Sequence, residues 1–327
     1  MKVLVTGSTG LLGANVVRAL LEMNYQITVI IRKTSNLSVL DGLPLNIIYG
    51  NINNEDDITN AVEGCNAIIH IAADTNQTYT KLSQYEEINV KPVKYIIAAA
   101  RLHRVAKVIY VSSAAVCGYG TKDFPGTETE PMRPPFSKSF YIQSKAIGQR
   151  LIQDASQDTN CDFIVVNPSF MLGAYDSKPS SGKIILMSYK KRFIFVPPGG
   201  KNFVHVKDVA DGICNALQHG KNGECYLLTG KNLSYMEFFK IVEGISNQKS
   251  TYIIIPPLVL KITGWIFDVL SSVGLRSSLS LINAKILCAG NYYSNQKSVK
   301  ELNMQLTPIS IAVKDATQWF IKEGYLN

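Results

Sequence analysis

Tyr141 and Lys145 stand four residues apart in the stretch YIQSK. On a helix that spacing puts a phenol and an ammonium on one face. A free phenol titrates near pH ~10 and is a poor base at neutrality. A cation held beside it favours the phenolate and lowers that value. The pair is therefore suited to moving a proton, but ordinary helix surfaces also carry Tyr and Lys at this spacing. The surrounding chain must distinguish the two.

The first half of the chain alternates short β-branched runs with helical patterns, as a parallel sheet with crossover helices requires. KVLVT, QITVII, NIIYG, AIIHIAA, KVIYVSS and DFIVVNP read as strands. Helical periodicity occupies LLGANVVRALLEM, a short stretch capped by Asn54, a long one from Leu82 to Leu102, and the segment carrying Tyr141 and Lys145. The loop from Cys117 to Pro135 is rich in Gly, Pro and Thr and reads as a wall or lid of a cleft. Beyond residue 168 the segments shorten and prolines cluster, which suggests a smaller lobe over the carboxyl edge of the sheet.

VTGSTGLLGANVV sets Gly7, Gly10 and Gly13 at the junction of the first strand and first helix. One glycine permits the tight turn, one lets backbone approach a pyrophosphate, and one lets the helix lie close to the sheet. The N–H groups from Thr9 through Leu11 and Leu12 would then face phosphates. The expected fold is α/β, a Rossmann-type doubly wound parallel sheet (residues 1–170) with a smaller, mostly helical C-terminal substrate lobe (171–327) that returns in places to the sheet. The second strand ends in Arg32 and Lys33 with no acid to grip ribose hydroxyls. A guanidinium forks onto a 2′-phosphate, so NADP(H) is favoured, with NAD(H) as the alternative and a plain solvent-facing strand end as the uninteresting one.

These residues resemble the extended short-chain dehydrogenase/reductase family over nearly the whole chain. The resemblance rests on T-G-x-x-G-x-x-G at Thr6 to Gly13, IAA at 71–73, Asn89, VSSAAVCG at 111–118, Y-x-x-x-K at Tyr141 and Lys145, NPSFMLG at 167–173 and NFVHVKDVADGI at 202–213. The texture after residue 167 is similar to the dihydroflavonol-reductase-like and 3β-hydroxysteroid dehydrogenase-like branch. The resemblance implies a catalytic triad of Ser113, Tyr141 and Lys145, with Ser112 as the alternate hydroxyl. Lys145 would orient ribose and phenol while Tyr141 exchanges a proton with a carbonyl as hydride moves. It implies cofactor contacts from Asn51, Ile52, Ile71, Ala72, Ala73, Asn89, Val111, Ser112, Pro168 and Ser169, with Pro168 reading equally well as a plain end of its strand. Substrate would meet Thr75, Ser113 and Phe170; the polar loop Thr75–Thr78 reads equally well as a plain strand end. Two departures stand out: Asn51 occupies a position where relatives carry Asp, and Cys117 one where they often carry Tyr.

The leading reading is an NADP(H)-dependent ketone–alcohol oxidoreductase, dihydroflavonol-4-reductase-like. The alternative is a nucleotide-sugar epimerase or dehydratase with tightly held NAD; the missing strand-end acid and the scarcity of arginines after residue 151 (Arg192 and Arg276) count against it. A non-enzymatic NADP-binding scaffold is a third, disfavoured because both Tyr141 and Lys145 are retained. His205 reads as a hydrogen-bonded structural histidine and Asp208 as a helix cap. The segment from Leu258 to Leu275 reads as lobe packing, with a lid over an apolar ligand as the alternative.

Of the 327 residues 46% are hydrophobic, enough for a large core. The net charge of +8 is dispersed, and its one compact run, Lys190, Lys191 and Arg192, reads as a solvated helix end. No nucleic-acid partner or membrane span is expected. Six cysteines without C-x-x-C spacing and four scattered histidines suggest neither disulfides nor a metal site, and a reducing, cytoplasmic setting. A homodimer through the helices from Leu82 and from Tyr141 is expected by resemblance, with a monomer as the alternative.

Overall fold

The computed structural model describes residues 1–76, 79, 81–157, 160–272 and 280–326. Six strands run from about the first half of the chain: β1 (Lys2–Thr6), β2 (Gln26–Ile31), β3 (Leu45–Tyr49), β4 (Ala67–His70), β5 (Lys107–Val111) and β6 (Asp162–Pro168). Between them lie α1 (Leu11–Glu22), α2 (Glu55–Val62), α3 (Leu82–Tyr85), α4 (Lys91–Leu102) and α5 (Phe140–Ala155). There follow β7 (Phe170–Leu172), α6 (Lys183–Leu186), β8 (Phe193–Val196), β9 (Gly200–His205), α7 (Val206–His219), β10 (Cys225–Leu228), β11 (Lys231–Ser234) and α8 (Tyr235–Ser246). The chain closes with β12 (Thr251–Ile254), α9 (Pro257–Ser272), α10 (Leu281–Cys288), β13 (Gly290–Asn291), α11 (Gln296–Leu302) and α12 (Ile309–Lys322).

A seven-stranded sheet runs in the order β10-β6-β5-β4-β1-β2-β3, with every pair parallel. Helices cover both faces, which is why these strands read as near-continuous apolar runs. Val3, Val5, Val29 and Ile69 pack toward the α1 and α7 layer. Leu4, Ile30, Ile68 and Val108 point the other way, toward α2 and α4. Strand order reverses between β1 and β4, and that switch point opens a crevice at the carboxyl ends of the strands.

The sheet layer draws on more than residues 1–170, since β10 and α7 both belong to it. The lobe over its edge holds the small sheet β11-β9-β13 with β7 beside β9, and the pair β12-β8. These short strands were hidden in the sequence behind a helical texture. They pack with α8 and α12 around Phe203, Phe238 and Phe320, the first two stacked with centroids 4.3 Å apart.

Three local expectations change. The helix from Leu82 to Leu102 is interrupted by a π-helical turn over Glu86–Val90. Pro92, the second residue of the α-helix that follows, has no N–H and cannot continue the regular ladder. Asp208 does not cap α7. His205 does, its Nδ1 accepting from Lys207 N at 2.9 Å, while its Nε2 donates to Asp315 at 3.0 Å, a structural role as expected. The buried Asp208 instead accepts from the N–H and hydroxyl of Thr307, both at 2.7 Å. Finally, α9 does not bury most of its apolar residues: of Leu258 to Leu270 only Leu260 and Gly264 are buried. Thr78, Arg276 and the end of that apolar segment lie outside the described residues.

Candidate active site

The sequence-derived site residues collect along one edge, at the carboxyl ends of β1 to β6. The turn from β1 into α1 carries Gly7, Thr9, Gly10, Leu11, Leu12 and Gly13. Gly7 has φ +73°, and a Cβ there would sit 2.7 Å from the Ala72 nitrogen. A Cβ on Gly13 would come 2.1 Å from the Gly7 carbonyl. No side chain caps α1 and no acid lies in its first turn, so its leading N–H groups and partial positive charge are left for an anion. This backbone cradle fits the diphosphate of a dinucleotide. Thr6 braces it: its hydroxyl accepts from Ile71 N and Ala72 N, both at 3.2 Å, and donates to His70 Nδ1 at 2.8 Å. Burial pushes His70 down to about 3, so the ring is neutral, and because the Thr6 oxygen already accepts two N–H groups its own hydrogen is the one directed at Nδ1. The sequence reading passed over both Thr6 and His70.

Arg32 follows β2 and is exposed. After β3, the Asn51 side-chain oxygen accepts from Asn53 N at 3.1 Å, while Asn51 N donates to the Asp57 carboxylate at 2.8 Å. Asp57 thus stands beside the position where the family's acid is missing; Ile52 is half-buried next to it. Ile71, Ala72 and Ala73 line the loop after β4, and Val111 with the buried Ser112 ends β5.

Lys145 and Tyr141 share a face of α5, as their spacing requires. Lys145 is 2% exposed. Its Nζ donates to the Val111 carbonyl at 2.6 Å and lies 4.6 Å from the Tyr110 ring centroid. With no carboxylate beside it among the described residues, burial lowers its pKa to about 7. The expectation that the ammonium depresses the phenol is not met. Burial, then the neighbouring Tyr85 and Asp74, push Tyr141 up to about 12, so the phenol is held protonated at neutral pH.

Ser113, not Ser112, shares a cavity with Tyr141. The cavity, of about 420 Å³, is lined on the sheet side by Ser113, Phe136, Tyr141 and Pro168, and on the lobe side by Phe170, Lys201, Ile286, Leu287 and Tyr293. The Ser113 oxygen accepts from Ala115 N at 3.3 Å, leaving its hydrogen available to a reacting oxygen. Thr75 is exposed and does not line the cavity. Ser169 donates to Asn202 at 2.6 Å. A wider hollow of about 610 Å³ opens among Lys2, Gln26 and Asn46, at the amino ends of the strands and away from this chemistry.

Asn89, expected at the cofactor, uses both amide hydrogens within the protein. Its side-chain oxygen accepts from Asp74 N at 2.8 Å, and its amide donates to Asp74 O at 3.1 Å and Ser144 Oγ at 3.0 Å. Ser144 in turn donates to the Tyr141 carbonyl at 2.7 Å. This chain ties the loop after β4 to the turn of α5 that carries the phenol. The sequence reading missed Phe136, Lys201, Ile286, Leu287 and Tyr293 of this lining. Lys201, directly before the NFVHV motif, sets its ammonium 4.4 Å from the Phe170 centroid, and burial lowers its pKa to about 8. Tyr293 packs in one cluster with Cys117 and lines the cavity, an aromatic ring close to the position where relatives often carry Tyr. Among the described residues no cluster of His, Cys, Asp or Glu could hold a metal.

Comparison with known proteins agrees with this architecture. The model of the NAD dependent epimerase/dehydratase family matches residues 3–228. A Synechocystis sp. protein provisionally named dihydroflavonol 4-reductase is 31% identical, covering 98% of this chain and 95% of its own. Sterol demethylase protein B of Methylococcus capsulatus is 28% identical over the full length of both. The crystal structure of gox2253 superposes with a TM-score of 0.85 at 29% identity, covering 99% of each chain. The chain belongs to the NAD dependent epimerase/dehydratase family and is an NAD(P)-dependent enzyme of the extended short-chain dehydrogenase/reductase type, in its dihydroflavonol-reductase-like and 3β-hydroxysteroid dehydrogenase-like branch.

Proposed function

We propose that this protein is an NADP(H)-dependent oxidoreductase that interconverts a ketone or aldehyde and the corresponding alcohol, acting on a largely apolar substrate. The single observation that carries the reading is the shared cavity wall of Ser113 and Tyr141, with Lys145 buried one helical turn behind. The nicotinamide cofactor, when bound, supplies or accepts the hydride. Gly7 to Gly13 would hold its diphosphate, Arg32 its 2′-phosphate, and Lys145 its ribose.

In the reducing direction Ser113 donates a hydrogen bond to the substrate carbonyl oxygen and polarises it. Tyr141, held protonated by burial, gives its proton to that oxygen. The resulting phenolate is stabilised by Lys145, which takes up positive charge more readily once an anion forms nearby. Phe170, Ile286, Leu287 and Tyr293 supply apolar walls, and relatives named for dihydroflavonol and sterol chemistry favour a ring-bearing substrate.

The test is turnover of NADPH with a panel of cyclic ketones, beside a panel of nucleotide sugars. Ketone-dependent oxidation of NADPH, abolished in Tyr141→Phe with cofactor affinity nearly intact, is the expected result. Conversion of a nucleotide sugar with copurifying NAD, and no ketone reduction, would reverse the assignment.

A further inference from the structure

The helix α9 is apolar on two opposite sides. One stripe, with Leu260 and Gly264 buried, packs on α10, where a Cβ on Gly264 would lie 2.9 Å from the Ala284 Cβ. The other stripe faces out: Leu258 is 67% exposed, Ile262 49%, Trp265 59% and Val269 48%. Val259 and Ile266 widen it. The helix follows β12 almost directly, and β12 pairs with β8 so that Phe195 stands beside Ile253. Phe193, Phe195 and Ile253 are also exposed. The exposed side chains of α9 amount to several hundred Å² of apolar surface and those of the β8–β12 pair to a few hundred more, at or above the largest patch a soluble monomer usually shows.

The charges around this surface are mostly positive, the acids being Asp268 on α9 and the half-buried Glu243, which accepts from Tyr252 of β12 and from Ser250 N. Lys190, Lys191 and Arg192 lead into β8, and Lys249 precedes β12 at the same end of the pair, where Thr251 N donates to Arg192 O at 2.8 Å. Lys261 flanks the exposed stripe of α9. The one acid on α9, Asp268, accepts from Leu281 N at 3.0 Å at the start of α10. A second copy of the chain docked on this face would bring two basic rims together. A surface of anionic lipid headgroups over hydrocarbon satisfies both the charge and the apolar stripe.

We propose that the protein docks on anionic bilayers through the outward face of α9, extended by the outer side of the β8–β12 pair, as an interfacial and not a spanning element. No helix among the described residues is long and apolar enough to cross a membrane. The docking helix packs on α10, whose Asn283, Ile286 and Leu287 line the cavity. If the apolar-substrate reading above holds, docking sets the cavity one helix away from the lipid phase that dissolves such a substrate. The docking itself does not depend on that reading.

The test is flotation of the full chain with phosphatidylcholine vesicles, with and without 30 mol% phosphatidylserine (a composition of roughly physiological anionic content). The expected result is binding to the anionic vesicles, with a blue shift of tryptophan emission that disappears in Trp265→Phe while Trp319 remains. The double variant Ile262→Ser, Trp265→Ser should lose at least about 10-fold in partition. The triple variant Lys190→Gln, Lys191→Gln, Arg192→Gln should lose a similar factor at low salt and little at high salt. Circular dichroism melts of both variants report whether they fold, and the wild-type flotation and emission stand without them. Absence of binding to either vesicle overturns the proposal. So does a dimer in solution, dissociated by the α9 substitutions, that excludes vesicles.

Discussion

Replacing Lys145 by Met should stabilise this protein near neutral pH while destroying its chemistry. Lys145 is 2% exposed, and its Nζ donates to the Val111 carbonyl at 2.6 Å. Burial brings its folded pKa down from 10.5 to about 7. The folded value lies below the unfolded one, so between pH 7 and about 10 the unfolded chain binds more protons and wild-type stability rises with pH. Below pH 7 both states are protonated and the slope vanishes. Each unit of the shift corresponds to about 1.4 kcal/mol, so the window spans a few kcal/mol in all. Met fills similar volume without a charge to bury, at the cost of the Val111 hydrogen bond, about 1 kcal/mol. The variant should therefore exceed wild type by about 1–3 kcal/mol at pH 6 to 7 and lose that advantage toward pH 10. Urea unfolding of nucleotide-free protein at four pH values in this range measures both curves, and their difference removes the titrations the two proteins share. A constant difference across the range, or a variant less stable at pH 6, would falsify the buried-lysine argument.

Other substitutions probe the remaining parts. Arg32→Ala should raise Kd for NADPH by about 10-fold or more while changing NADH little; equal losses measured by fluorescence titration would undo the 2′-phosphate assignment. Gly13→Ala places a methyl against the Gly7 carbonyl and should cost at least about 2 kcal/mol in urea unfolding, along with most dinucleotide affinity. Asp208→Ala removes two charge-assisted hydrogen bonds to Thr307; it should lower stability by about 2–3 kcal/mol and leave cofactor titration unchanged.

The sheet was legible because its strands are buried on both faces and bounded by turns, so composition alone marked KVLVT, QITVII and DFIVVNP. The glycine turn and the phenol–ammonium pair were legible because each depends on spacing along a single element. The supports of the site were not. Thr6 and His70 meet from strands 64 residues apart, and Asn89 reaches Ser144 across 55; no local pattern encodes such pairings. Asn89 was assigned a ligand contact that its three internal hydrogen bonds leave no amide hydrogen to make. The sign of the Tyr141 shift was also misjudged, because helix spacing says which charge is near but not how dry the surroundings are. Short lobe strands such as β7 and β13 owe their existence to pairing with β9, and their own residues carry too little pattern to announce it.

The cavity has two walls of different origin, and that separation has a consequence for how the enzyme can change. Ser113, Tyr141 and Lys145, with Val111, Ser144 and Asn89 behind them, all fall within one span of the chain ending at α5. The opposite wall comes from Phe170, Lys201, Ile286, Leu287 and Tyr293. Proton handling and molecular recognition are thus written in different stretches of sequence. Recutting the later stretch, by design or by descent, would alter which molecule is accepted and leave the reacting hydroxyls in place.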